Sequence, residues 1–171
     1  MVNKFLIAIA AVVAVMAALV LAPGFNSNRQ QSATTDQTQQ VSLEYSRQQL
    51  ARTESGSLAA AAAEVLTIEN DGSATYTKVG GQLDGRKFTV SEEEMKQLRA
   101  RILGTGFMQI PETDYSQQEG LANFTKYTLK LQAGGDLKTI SWVNPGAHAG
   151  TIPPIITNVG ELLDSIISRH V

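Results

Sequence analysis

His148 is the residue whose type and surroundings best fit a binding role. It lies in the glycine-rich segment 144–150 (NPGAHAG), which is expected to be an exposed loop. A histidine-based metal site needs further ligands, and the sequence contains neither H-E-x-x-H nor H-x-H. We predict that His148, together with Gly146 and Gly150, contacts a partner protein. We also predict no catalytic residue, no cofactor and no bound metal.

Two groups of carboxylates could in principle hold a cation. Glu92, Glu93 and Glu94 are consecutive, and successive side chains on a helix diverge by about 100°, so they cannot converge on one ion. They fit better as the acidic first turn of a helix that Ser91 caps. The second group, in segment 111–120, lacks the D-x-[DN]-x-[DN]-G pattern of a calcium loop. We expect that segment to be a solvated connection.

Serine, glycine and asparagine patterns add one candidate modification site. No G-x-S-x-G elbow is present, and the glycine pairs at 80–81 and 134–135 lack the residues of a phosphate loop, so they are predicted to be turn glycines. Asn123-Phe124-Thr125 is the only N-x-S/T sequon. Asn123 is therefore a candidate for glycosylation if the domain lies outside the cytoplasm.

The composition excludes several classes of function. The chain of 171 residues has no cysteine, which removes disulfides, thiolate catalysis and cysteine-ligated metals. Its 14 basic and 16 acidic residues give a formal net charge of −2. This balance provides no basic surface, so we predict no nucleic-acid partner.

The N-terminal segment predicts where the protein works. Lys4 precedes an uninterrupted apolar run, residues 5–22, which Pro23 and Gly24 end. As a helix this run would extend about 27 Å, close to the thickness of a bilayer core. Because the only nearby charge is Lys4, we expect the N-terminus in the cytoplasm, residues 5–22 in contact with lipid, and the remainder outside.

The same segment could instead be a secretory signal that is cleaved, which would release the protein. The length of the apolar run and Pro23 at the expected cleavage point favour an uncleaved anchor over residues 1–24. Residues 25–40 are polar and are predicted to be a disordered stalk, because they contain too little apolar surface to fold. Residues 41–171 are predicted to form one extracytoplasmic domain.

Hydrophobic periodicity predicts the elements of this domain. Apolar and polar residues alternate over 41–47, as in a half-buried strand, and the alanine-rich stretch 48–63 is expected to be a flexible excursion or a short helix. Segments 64–69 and 74–79 flank the turn signal Asp71-Gly72 and predict a hairpin. A short extended stretch follows at 86–90.

The second half of the domain is predicted to contain two helices and a second hairpin. Apolar spacing after Ser91 predicts a helix that ends near Gly104, and segments 124–132 and 137–143 predict a second hairpin. Pro153 and Pro154 open a final helix with a wide apolar stripe. The sequence therefore predicts an α+β fold of order β-ββ-α-ββ-α, in which two helices pack on one face of an antiparallel sheet of four or five strands.

This arrangement resembles the emfourin-type protein inhibitors of metalloproteases, which are small α+β domains. The resemblance rests on the opening strand at 43–47, the exit from the first helix at 107–111, the strand at 124–129 and the helix that begins near Pro153. It implies a small α+β fold that binds a protease. The alanine-rich insertion in 48–63 replaces a Gly-Gly turn of those inhibitors, so no inhibitory residue is transferred.

Together these patterns predict a membrane-anchored extracytoplasmic domain that binds another protein and is not an enzyme, for example an accessory subunit of a membrane complex. Two alternatives remain open. One is a secreted or tethered inhibitor of an extracellular protease, and the other is an enzyme whose site lies in segment 144–152 without a recognisable motif.

Overall fold

The computed structural model describes residues 40–79 and 84–171. The predicted anchor (1–24), the predicted stalk except Gln40, and residues 80–83, which include the glycine pair predicted to lie in a turn, are outside this part of the chain. Among the described residues, no helix combines the length and apolar character needed to cross a membrane. The described residues belong to a single compact unit.

The predicted α+β class is confirmed. The described part of the chain contains two helices and one sheet of seven strands. The strands are β1 Val41–Arg52, β2 Leu58–Ile68, β3 Ser73–Val79, β4 Asp84–Thr89, β5 Asp114–Tyr115, β6 Asn123–Ala133 and β7 Asp136–Val143, and the helices are α1 Glu92–Leu103 and α2 Pro154–His170.

The sheet is larger than predicted, and it is mixed. Its strand order is β4-β3-β2-β1-β6-β7-β5. All neighbours are antiparallel except β5 and β7, which pair in parallel through Asp114–Ser141 and Tyr115–Trp142. The prediction of four or five antiparallel strands was therefore wrong. Segment 111–120, predicted to be a solvated connection, adds an edge strand because the Tyr115 side chain is buried in the core.

The interpretation of residues 48–63 as an excursion or helix was also wrong. β1 continues to Arg52, and β2 starts at Leu58 and includes the whole alanine run. Alanine favours helix by intrinsic propensity, but paired strands override such local preferences. A tight turn with Gly56 at φ 82° connects the two strands.

One face of the sheet carries the main core. Inward-facing side chains of the central strands, such as Leu43, Leu66, Leu129 and Ile140, are buried in one apolar cluster. That cluster also contains Met95, Leu98 and Ile102 of α1 and Ile156, Val159, Leu163, Ile166 and Ile167 of α2. Both helices thus pack against the same sheet face.

Glu94 connects the beginning of α1 to the end of α2. Its carboxylate accepts hydrogen bonds from the Ser91 backbone N–H at 2.9 Å and the Ser91 hydroxyl at 2.8 Å, which completes the predicted capping box. Arg169 lies 3.1 Å from the same carboxylate, and His170 lies 3.3 Å from it. Burial alone would raise the pKa of Glu94, but these hydrogen bonds and the Arg169 charge outweigh it and lower the pKa.

This arrangement predicts how Glu94 affects acid stability. A carboxyl whose pKa is lowered by folding stabilises the protein above its unfolded pKa, and that stability is lost as the pH falls through the folded pKa. We expect Glu94→Gln to reduce the free energy of unfolding by about 1 kcal/mol at pH 7, and to weaken its dependence on pH below about 4.3. The measurement is denaturant unfolding from pH 7 to pH 3. The exposed neighbour variant Glu93→Gln is the control, and equal pH profiles for both variants would contradict the assignment.

Candidate functional site

Three connecting segments meet at one end of the sheet. Because these strands are antiparallel, the end of β1 lies beside the starts of β2 and β6 and the end of β7. The residues at these strand ends are Arg52, Leu58, Asn123 and Val143. The segments that continue from these strand ends are 53–57, 116–122 and 144–150. We call these three segments the loop end.

The loop end lies opposite the point where the chain enters the domain. Gln40 precedes β1, and its carbonyl accepts a hydrogen bond from the Gly134 backbone N–H at 3.0 Å, in the turn between β6 and β7. β1 then runs for 12 residues along the length of the sheet. At about 3.3 Å per residue, its far end at Arg52 lies up to about 40 Å from Gln40. The loop end is thus remote from Gln40.

His148 is held in place within the loop end. Its Nδ1 lies 2.6 Å from the Ser116 carbonyl oxygen, and its ring packs edge-on against Tyr115 with centroids 5.8 Å apart. Because a carbonyl can only accept, Nδ1 carries the proton, and in the neutral ring Nε2 is the acceptor. His148 is half-buried, whereas Gly146 and Gly150 are exposed. Pro145 and Ala149 are also exposed, but Ala147 is buried, so the predicted exposure of this loop is confirmed only in part.

Backbone and amide groups join segment 144–150 to its neighbours. The Gln118 backbone N–H donates to the Ala147 carbonyl at 2.8 Å. Asn144 makes a reciprocal pair with Thr125: its side-chain oxygen accepts from the Thr125 N–H at 2.8 Å, and its own N–H donates to the Thr125 carbonyl at 3.0 Å. The conformation of this glycine-containing loop is therefore stabilised by β6 and by segment 116–122.

Arg52 joins the third segment to the others. Its guanidinium donates to the Gly56 carbonyl at 2.7 Å and to the Leu121 carbonyl at 3.3 Å, and its backbone N–H donates to the Ala122 carbonyl at 2.7 Å. Each of these acceptors would otherwise have to be solvated separately. The turn 53–57 and segment 116–122 are thus held against each other.

A small apolar cluster lies beneath these segments. Phe124, Val143 and Ala147 are buried together, and the partly buried Leu50 and Leu121 pack against them. Alternate residues of β6 point to opposite faces, so Phe124 lies on the face opposite to Leu129 and the helices. The loop end therefore has a core of its own, separate from the main one.

The structure brings together site residues that the sequence left apart. Asn123 is the first residue of β6 and is exposed at the loop end, near the segment that contains Gly146, His148 and Gly150. The role of turn 53–57 was missed, because the alanine-rich strand that follows it was not recognised as a strand. Within residues 40–79 and 84–171, no three histidine or acidic side chains are grouped as metal ligands would be.

A second polar cluster joins α2 to the sheet, and sequence reasoning missed it. Arg47 donates through Nε to Glu64 at 2.9 Å, makes a second close contact with the same carboxylate, and lies 3.3 Å from Asp164 of α2. The Tyr45 hydroxyl donates to Asp164 at 3.1 Å, and Lys78 lies 3.5 Å from Glu64. The strand pattern contained a usable signal, because Arg47 continues the inward-facing series Leu43 and Tyr45.

Burial dominates the electrostatics of this second cluster. It raises the pKa of Asp164, and the nearby Arg47 charge only partly opposes that shift. Burial, followed by the charge of Asp164, also raises the pKa of Tyr45. Tyr45, Tyr127 and Trp142 stack beside the cluster with ring centroids 5.4 to 6.3 Å apart. Two cations face two carboxylates, so the cluster is suited to attaching α2 rather than to binding a charged ligand.

Comparison of the sequence with protein-family models and with curated proteins gives no match.

Proposed function

We propose that this protein is a membrane-anchored extracytoplasmic domain that binds another protein through its loop end and has no catalysis of its own. The observation that carries the proposal is the hydrogen bonding among the three segments of the loop end. Arg52, Gln118, Asn144 and His148 each connect one of these segments to a neighbouring segment or strand. Irregular surfaces that are ordered before binding lose less conformational entropy on association.

The position of the loop end supports the same proposal. It lies at the opposite end of β1 from Gln40, and most of its residues are exposed. Exposed backbone at Gly146 and Gly150 lets a partner approach closely, because glycine has no side chain. His148 offers a single acceptor, Nε2, beside Gly150. These features suit recognition by shape and hydrogen bonding.

Site-specific photocrosslinking in intact membranes tests the proposal. A photoreactive amino acid at Ala149, which is exposed in the loop end, should give one crosslinked protein partner after illumination. The matched control is the same amino acid at Leu137, which is 70% exposed at the opposite end of the sheet. Recovery of the same products from both positions would contradict a binding role for the loop end.

The identity of the crosslinked product separates the forms of the proposal. A stoichiometric integral-membrane protein would indicate an accessory subunit, and a soluble protease would indicate an inhibitor. Adding His148→Ala to the Ala149 probe should reduce the product about fivefold, as expected from the loss of about 1 kcal/mol of hydrogen bonding. An unchanged yield would exclude His148 from the contact.

A further inference from the structure

The charged side chains of the loop end differ in whether they already have partners. Its three segments contain two acidic residues, Glu54 and Glu119, and no lysine or arginine. Both acidic residues are exposed, and none of the ion pairs among the described residues includes either of them. Arg52, the cation at the end of β1, directs its guanidinium to two backbone carbonyl groups. The two carboxylates outnumber this one cation, so the loop end carries a net negative charge.

Arg52 joins the two segments that carry these carboxylates. Its guanidinium donates to the Gly56 carbonyl at 2.7 Å and to the Leu121 carbonyl at 3.3 Å. Glu54 lies two residues before the first of these carbonyl groups in the sequence, and Glu119 lies two residues before the second. One guanidinium group therefore connects the backbone on which both acidic residues lie. That backbone is held in place before a partner binds, which lowers the entropic cost of binding.

His148 adds a hydrogen-bond acceptor of fixed position to the same surface. Its Nδ1 donates to the Ser116 carbonyl at 2.6 Å, so Nε2 of the neutral ring can only accept. A Cβ atom at Gly150 would lie 3.0 Å from Nε2, so glycine at this position leaves that side of the nitrogen uncovered. The titratable groups of the three segments are thus two carboxylates and one imidazole nitrogen, and all of them accept hydrogen bonds.

We propose that the protein partner of the loop end presents arginine or lysine side chains to Glu54, Glu119 and His148. The assignment rests on the proposed function, because it gives the chemistry of the partner that the same site binds. Neutral donors compensate poorly for the desolvation of a carboxylate, whereas a cation offsets it with a charge-assisted hydrogen bond. An anionic surface would be repelled. Guanidinium and ammonium groups have donors only, so they complement a surface whose titratable groups only accept.

Neutralising the two carboxylates tests this assignment with the photocrosslinking probe at Ala149. Glu54→Gln and Glu119→Gln keep the shape of each side chain. In intact membranes each should lower the yield of the crosslinked protein about threefold, and together they should lower it about tenfold. Glu93→Gln, at an exposed position of α1 outside the loop end, is the matched control and should leave the yield unchanged. An unchanged yield in the double variant would overturn the proposal.

Salt provides a second readout that requires no substitution in the loop end apart from the probe. In washed membranes, raising the salt concentration from about 0.05 M to about 0.5 M shortens the screening length to about 4 Å. The yield from the Ala149 probe should then fall at least about threefold, because the contact joins opposite charges near the surface. The double variant of Glu54 and Glu119 should be much less sensitive to salt. A yield that stays constant or rises with salt would overturn the proposal.

Charge reversal reports the sign of the partner's charge. Glu119→Lys should reduce the product about tenfold, and replacing the lysine or arginine nearest to the crosslinked position of the partner by glutamate should restore it. More product with Glu119→Lys would indicate an anionic partner and overturn the proposal. Absence of any product from the Ala149 probe in an otherwise unchanged chain would contradict the proposed function as well, whereas a product that is insensitive to charge would contradict only the assignment of a cationic partner.

Discussion

Gly160→Ala is expected to destabilise the protein by about 2 kcal/mol, although the same change stabilises most helices. Gly160 lies inside α2, where alanine is normally favoured over glycine by about 1 kcal/mol. Here a Cβ atom at position 160 would lie 2.9 Å from the Trp142 ring. The ring cannot move away easily, because it is buried and stacks against Tyr45 and Tyr127. Overpacking of this kind outweighs the gain in helix propensity.

Denaturant unfolding of the full chain measures this effect, and intrinsic fluorescence reports its location. Trp142 is the only tryptophan, so a shift in emission would come from the contact between α2 and β7. Ser165→Ala, at an exposed position of the same helix, is the control and should be neutral or slightly stabilising. Combining Gly160→Ala with Trp142→Phe should cost less than the sum of the two changes, because the smaller ring provides space. An increase in stability on Gly160→Ala would contradict the contact.

The elements that the sequence predicted well are those in which local signals agree with tertiary packing. α1 has a capping box at Ser91 and a regular apolar spacing, and α2 begins at a proline pair and has a wide apolar stripe. The hairpin of β6 and β7 turns at Gly134, where φ is 61°. In each case the residues that determine where the element starts or ends lie within a few positions of it in the sequence.

The missed elements are those in which a distant strand determines the conformation. The alanines of β2 favour helix when considered alone, and pairing with β1 makes them a strand. β5 has two residues and exists because β7 provides a parallel neighbour. The neighbouring strands of β2 and β5 cannot be identified from the local sequence, so the predicted number of strands was too low.

The candidate site was predicted in part for the same reason. The loop that contains His148 could be recognised by its glycines, and Asn123 by its sequon. Their meeting with the turn 53–57 depends on the register of β1 with β6, which places Ala51 opposite Asn123. Register is set by long-range packing. The sequence alone therefore predicts the individual segments of the loop end but not that they lie next to one another.

The polar cluster at Arg47 gives the second large effect. Arg47→Met is expected to reduce the free energy of unfolding by about 2 kcal/mol at pH 7, because the carboxylates of Glu64 and Asp164 then lack their shared cation. The value is below that for a fully buried pair, because the Arg47 side chain is 32% exposed and solvent screens the remaining charges. Lys78 is 59% exposed and 3.5 Å from Glu64, so it replaces little of the lost interaction.

The pH dependence of this variant follows from the sign of the Asp164 shift. Folding raises the pKa of that carboxyl, so its ionisation destabilises the native state, and Arg47 limits this effect. Without Arg47 the pKa rises further, and Arg47→Met should recover part of its lost stability as the pH falls from 7 toward 4. Lys78→Met, the matched loss of an exposed cation, should change stability by less than about 0.5 kcal/mol and show no such recovery. Denaturant unfolding at both pH values decides between these outcomes, and equal losses for the two variants would mean that Arg47 does not hold α2 to the sheet.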